Sequence, residues 1–138
     1  MKDNDCIFCL LANGDIPTAK IYEDNDAAVI LDAGPATKGH ALVMPKEHYA
    51  NLAETPANIA AKLLNIAIRV GEAQMEVLGA KGYNILANTN EEAGKTVFHT
   101  HIHVIPRYGE EEEMVGWTPH EADKEENAKI AEELKAAL

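Results

Sequence analysis

Basic residues are scarce. Twelve Lys and Arg stand against 23 Asp and Glu, for a formal net charge of −11. Duplex nucleic acids and anionic membranes need a basic face to bind, so neither is expected as a partner. The charge leaves room for a small phosphate ligand, because backbone N–H groups and histidines can hold one locally. Long apolar runs are also missing, and none reaches the length of a membrane span. The polar start Met1-Lys2-Asp3-Asn4-Asp5 and the short apolar stretch 6–12 argue against a signal peptide. A cytoplasmic location is the expectation. Only two cysteines are present, three positions apart, too few and too close for a disulfide framework. Internal repeats and low-complexity linkers are absent.

What remains is an ordinary globular composition of 46% hydrophobic and 25% charged residues over 138 positions. Area scaling buries about two thirds of the unfolded surface of such a chain. A single domain over 1–138 is expected, its last part (about 108–138) an acidic loop and a C-terminal helix.

Residues 6–12 suit a short helix stopped by Asn13-Gly14. Lys20–Tyr22 and Ala27–Leu31 read as strands about the turn Glu23-Asp24-Asn25-Asp26. Asp32–Gly39 reads as a loop and His40–Met44 as a strand stopped by Pro45. Ile59, Leu63, Ile66, Val70, Ala73 and Val77 recur near a 3.6-residue period, predicting one long helix over 56–78 between Pro56 and Gly79. Gly71 inside it is tolerated at some cost. Tyr83–Ala87 and Thr96–Ile105 are predicted strands around the loop Asn88–Gly94, and Asp123–Leu138 a short amphipathic helix. The acidic run Glu110–Glu113 reads as a solvated loop. Hairpin-like spacing around one central helix indicates an α+β fold with a mainly antiparallel sheet.

The informative stretch is Phe98-His99-Thr100-His101-Ile102-His103-Val104-Ile105-Pro106. On a strand, a period of two puts His99, His101 and His103 on one face and the β-branched residues on the other. Three explanations compete: a polar strand face without chemistry, a metal site, or nucleophilic catalysis at phosphorus. Imidazole is a competent nucleophile near neutral pH. The loop just upstream, with Gly94, Thr96 and Val97, could bring N–H groups and a hydroxyl to phosphate oxygens. Gly94-Lys95-Thr96 is not a P-loop, since Thr89 stands where the first glycine is required.

These residues resemble the histidine triad family of nucleotide-binding hydrolases, whose signature is His-x-His-x-His followed by apolar residues. The resemblance runs from Cys6 to about Arg107. It is most specific at 93–107 and is supported by Gly39-His40-Ala41-Leu42-Val43-Met44-Pro45-Lys46. It implies a five-stranded antiparallel sheet with one long central helix, paired into a homodimer. It implies His101 as nucleophile on an α-phosphorus, forming a nucleotidyl-histidine that water hydrolyses. A main-chain carbonyl of the same strand would orient His101. His103 and His40 would contact the phosphate and assist leaving-group protonation. Asp32 would bind the ribose hydroxyls, while Asn88, Gly94, Thr96 and Val97 surround the phosphate. Ile7, Phe8, Leu11 and Ile30 would line the base pocket, with ordinary core packing as the other reading of the same four.

A Cys6-x-x-Cys9 pair is either two buried small residues or half of a metal site, which needs two more ligands. The resemblance implies a structural zinc held by Cys6, Cys9, His48 and His99. His103, where the related transferases carry glutamine, favours hydrolysis over transfer. The implied function is hydrolysis of a purine nucleoside 5′-phosphoramidate or similar conjugate. A dinucleoside polyphosphate hydrolase and a zinc-stabilised nucleotide- or partner-binding module are the alternatives. Lys95, where many triad hydrolases carry glutamine, could reach a distal phosphate or point into solvent. Pro106-Arg107 and the acidic stretch resemble microbial members. Trp117 reads as a packing residue and His120 as exposed.

Overall fold

The computed structural model describes residues 1–109 and 118–138. The acidic run Glu110–Glu113 and Trp117 lie outside the described residues. In chain order the elements are α1 (Ile7–Ala12), β1 (Lys20–Glu23), β2 (Ala27–Leu31), β3 (Ala41–Pro45), α2 (Ala57–Leu78), β4 (Gly82–Leu86), β5 (Ile102–Arg107) and α3 (Lys124–Ala137). The five strands form one sheet in the order β1-β2-β3-β5-β4, with every neighbouring pair antiparallel. This is the α+β arrangement the sequence predicts.

Strand alternation sorts the apolar residues onto two faces. Val29, Val43, Ile102 and Val104 pack against Leu63, Ile66, Ala67 and Val70 of α2. Ala28, Ile30, Leu42 and Met44 point the other way, where Ala12, Phe8 and Leu11 of the α1 segment cover them. Strands β2 and β3 are thus covered on both faces, which explains their unbroken apolar sequence. His103 takes its direction from the same alternation. It pairs with Leu42 across the β3–β5 ladder, while its neighbours Ile102 and Val104 face α2.

Two sequence expectations need correction. The last strand does not run over Thr96–Ile105 but begins at Ile102 and continues through Pro106 to Arg107. The segment before it bonds outside the sheet: the Thr100 N–H donates to the Tyr49 carbonyl at 2.7 Å. Of the three histidines, only His103 therefore lies within the strand. Neither proline ends its strand from outside, since Pro45 is the last residue of β3 and Pro106 the second to last of β5. Proline is tolerated near strand ends because a missing N–H costs least there.

Helix α2 starts after Pro56 and ends at Gly79, whose φ of 74° is the left-handed cap that favours glycine. Gly71 is needed for space. A Cβ there would lie 2.2 Å from the ring of Tyr83 on β4. In an open helix, Gly→Ala gains roughly 1 kcal/mol. Here Gly71→Ala should instead lower the unfolding free energy, by about 1–3 kcal/mol as overpacked sites do, read from denaturant melts. Stabilisation would show that the Tyr83 ring moves aside freely.

Candidate active site and metal centre

His101 is 7% exposed. Its Nδ1 lies 2.6 Å from the carbonyl of His99. A carbonyl only accepts, so Nδ1 carries the ring proton and the Nε2 lone pair is left free. Burial lowers the His101 pKa against the opposing effect of that bond, which favours the neutral ring. From α1, Phe8 sets its ring edge-on to His101 at 4.9 Å between centroids.

A second chain of contacts fixes the other two imidazoles. The Ala36 N–H donates to His40 Nδ1 at 3.0 Å. The neutral His40 ring then carries its proton on Nε2, which is 2.9 Å from His103 Nδ1. His103 accepts at Nδ1 and so carries its own proton on Nε2. Backbone, His40 and His103 form a directed relay that ends in a donor beside His101, whose ring centroid is 5.0 Å from that of His103. Asp32 Oδ2 lies 3.5 Å from His40 Nε2. Burial lowers the His40 pKa and Asp32 opposes the shift. Burial, then the neighbouring His101 and His40, bring His103 down to about 4.

Next to this site, Cys6, Cys9, His48 and His99 converge, their donor atoms all within 4.8 Å of one another. Both sulfurs are 3.4 Å from His99 Nδ1, and Cys9 Sγ is 3.5 Å from His48 Nδ1. In a tetrahedral zinc site with the usual bond lengths, sulfur and nitrogen ligands stand about 3.5 Å apart. His99 Nε2 lies 3.0 Å from the Pro45 carbonyl, which holds the proton there and turns the Nδ1 lone pair towards the thiols. Burial raises the Cys9 thiol to about 11, a shift that a bound cation would reverse. Burial likewise lowers His99 to about 4. The donor set and its spacing fit a zinc ion.

The other sequence-derived positions are placed unevenly. Asp32 sits beside His40 and its Oδ1 accepts the Gly34 N–H. Gly94 has a φ of 97°, and its Cα faces the Asn88 amide closely enough that a Cβ would lie 3.5 Å from Nδ2. Thr96 is exposed and Val97 half-buried. Phe8, Leu11 and Ile30 belong to the smaller apolar cluster, whereas Ile7 is 53% exposed. His120 is exposed, as expected. The sequence reading missed the Ala36 N–H and the Pro45 carbonyl, main-chain groups that no residue type signals. It also left Lys95 open between solvent and site, and the structure buries it.

Residues 13–110 match the family model described as the HIT domain. An adenosine 5′-monophosphoramidase of Schizosaccharomyces pombe is 37% identical over 134 residues, 96% of this chain and 98% of that protein. An adenylylsulfatase of Arabidopsis thaliana is 41% identical over 104 residues, 75% of this chain but only 53% of the plant protein. Among solved structures, a zinc-bound histidine triad family protein of Mycobacterium smegmatis shares 37% identity at a TM-score of 0.75, covering 96% of this chain and 97% of that one.

The lowered His103 pKa has a consequence for stability. An unfolded histidine titrates near 6.5, whereas the folded one holds out to about 4. Between those values the unfolded chain binds the extra proton, so folding stability must fall as pH drops through that window. Thermal melts between pH 7 and 4 should show this decline, with a shallower slope in His103→Gln. An unchanged slope in the variant would mean that His103 is not held neutral.

Proposed function

The chain belongs to the HIT family, and from that membership we propose that it hydrolyses nucleoside 5′-phosphoramidates or related nucleotide conjugates, releasing a nucleoside monophosphate. The observation that carries this reading is the bond from His101 Nδ1–H to the His99 carbonyl, because it leaves one imidazole nitrogen unprotonated. His101 Nε2 attacks the α-phosphorus. A phosphorus–nitrogen bond to His101 forms as the bond to the leaving group breaks. An amine leaving group needs a proton, which His103 Nε2–H supplies, backed by His40 through the 2.9 Å contact. Water then cleaves the nucleotidyl-histidine. Asp32 binds the ribose hydroxyls. Asn88, Gly94, Thr96 and the Val97 N–H surround the phosphate, and Phe8, Leu11, Ile30 and the rim residue Ile7 receive the base.

Cys6, Cys9, His48 and His99 would hold a structural zinc, tying α1 to the catalytic segment. Two free thiols used this way suit the reducing cytoplasm. No helix among the described residues is long and apolar enough to cross a membrane. A homodimer accounts for the apolar residues that α2 leaves exposed at helical spacing, Leu64 and Ile68, and for the exposed Ile85 on the edge strand β4.

Three outcomes check the reading. His101→Ala should keep its fold by circular dichroism and lose at least about 10³-fold in turnover of adenosine 5′-phosphoramidate, as removal of a nucleophile does. Retained nucleotide binding with no turnover in the wild type would instead make the chain a binding module. Elemental analysis should find one zinc per chain, lost in Cys6→Ser together with thermal stability. A metal-free protein of undiminished stability would refute the zinc site. Ile68→Glu should shift the mass in light scattering from dimer to monomer, and an unchanged dimer would place the interface elsewhere.

A further inference from the structure

Gln74 is a polar residue on the buried face of α2, 5% exposed. Its Nε2 donates to the Gly39 carbonyl at 3.1 Å and to the Val104 carbonyl at 3.0 Å. Only the NH2 group can face two carbonyls, so the orientation of the amide is fixed. Oε1 is left as the one buried side-chain atom without a hydrogen-bond partner among the described residues. An unmet buried acceptor costs free energy that an apolar side chain of the same shape would not. The amide is therefore explained by what its two donors hold. Gly39 directly precedes His40, and Val104 directly follows His103. The β3–β5 ladder cannot make this tie itself. Its register sets Ala41 against Val104, and so Gly39 against Pro106, which has no N–H to give. The Pro106 carbonyl accepts instead from the Thr37 hydroxyl at 2.6 Å.

We propose that Gln74 is a positioning residue for leaving-group protonation: it fixes the spacing of β3 and β5 where the ladder lacks a donor, and so holds His40 against His103. This rests on His101 attack and on His103 as proton donor, as described above. His40 is already held within its own loop. Its N–H donates to the Thr37 carbonyl at 3.1 Å, its carbonyl accepts from the Asp32 N–H at 2.9 Å, and its Nδ1 accepts from the Ala36 N–H. None of these three bonds reaches β5. The contact that does, from His40 Nε2 to His103 Nδ1 at 2.9 Å, joins two rings carried by different chain segments. A shift of a few tenths of an ångström in their spacing takes it beyond hydrogen-bond range. Gln74 bridges the two segments from the opposite face of the sheet, one residue from each ring, and its hydrogen bonds go to the backbone alone. The amine nitrogen leaves with the electron pair of the broken phosphorus–nitrogen bond and takes a proton from His103 Nε2. The water that cleaves the nucleotidyl-histidine returns one.

The test is kcat and KM of the full chain on adenosine 5′-phosphoramidate and on the p-nitrophenyl ester of AMP, for the wild type and Gln74→Met. Methionine keeps the length of the side chain and removes both donors. p-Nitrophenolate departs as a stable anion and needs no proton. In Gln74→Met, kcat on the phosphoramidate should fall by about 10- to 100-fold, as a small misplacement of a reacting group costs, with KM near the wild-type value. The fall on the ester should be smaller, so the ratio of the two moves by about tenfold. Gln74→Asn, one methylene too short to span both carbonyls, should show the same selective loss and decides the matter where the methionine variant fails to fold. Equal losses on both substrates would reduce Gln74 to a structural residue and overturn the proposal. So would undiminished phosphoramidate turnover in a folded variant. Wild-type turnover of the ester alone would remove the protonation step, and the proposal with it, while leaving His101 as nucleophile. Turnover of neither would overturn both.

Discussion

The site depends on one residue facing two ways. The His99 ring carries its proton on Nε2, held by the Pro45 carbonyl at 3.0 Å, and presents Nδ1 to the two cysteines. Its own main-chain carbonyl accepts from His101 at 2.6 Å. A residue inside a regular ladder would spend that carbonyl on the neighbouring strand. Here the chain joins the sheet only at Ile102, and the carbonyl is free to orient a side chain two residues on. The irregular approach to β5 is thus a condition of the chemistry.

That irregular segment is held firmly from outside the sheet. The Thr100 N–H and hydroxyl both reach the Tyr49 carbonyl, and the hydroxyl also meets that of Thr55 at 2.8 Å. The anchors come from the connection between β3 and α2, which also supplies His48. Topology does the rest. Because β5 lies between β3 and β4, and antiparallel to β3, the start of β3 with His40 stands beside His103. Residues distant in sequence meet without strain, on the face that α1 covers and opposite the face filled by α2. A rigid central strand is a better base for precise positioning than a loop.

Much of this was legible in the sequence. The period of α2, the continuous apolar β2 and β3, and the alternation that turns His103 away from Ile102 and Val104 follow from spacing alone. The resemblance named the four thiol and imidazole donors that the fold brings together. Three features were not legible, each for a physical reason. Alternating His, Thr and Ile satisfy a strand pattern whether or not the backbone pairs, so the late start of β5 leaves no trace in residue type. Main-chain donors and acceptors such as Ala36 N–H and the Pro45 carbonyl have no sequence signal at all. Lys95 carries the type of a surface residue, and nothing in the sequence around it marks it as buried. Gly71 is intermediate: the break in helix propensity is visible, but the Tyr83 ring that requires it comes from another element.

Attack by His101 implies two successive in-line displacements at one phosphorus, and each inverts configuration. A substrate made chiral at the α-phosphorus by sulfur substitution, hydrolysed in isotopically labelled water, reports the number of displacements directly. The account predicts overall retention in the released nucleoside monothiophosphate. Inversion would mean that water attacks the α-phosphorus itself, leaving the oriented imidazole of His101 a base or a phosphate contact and not the nucleophile.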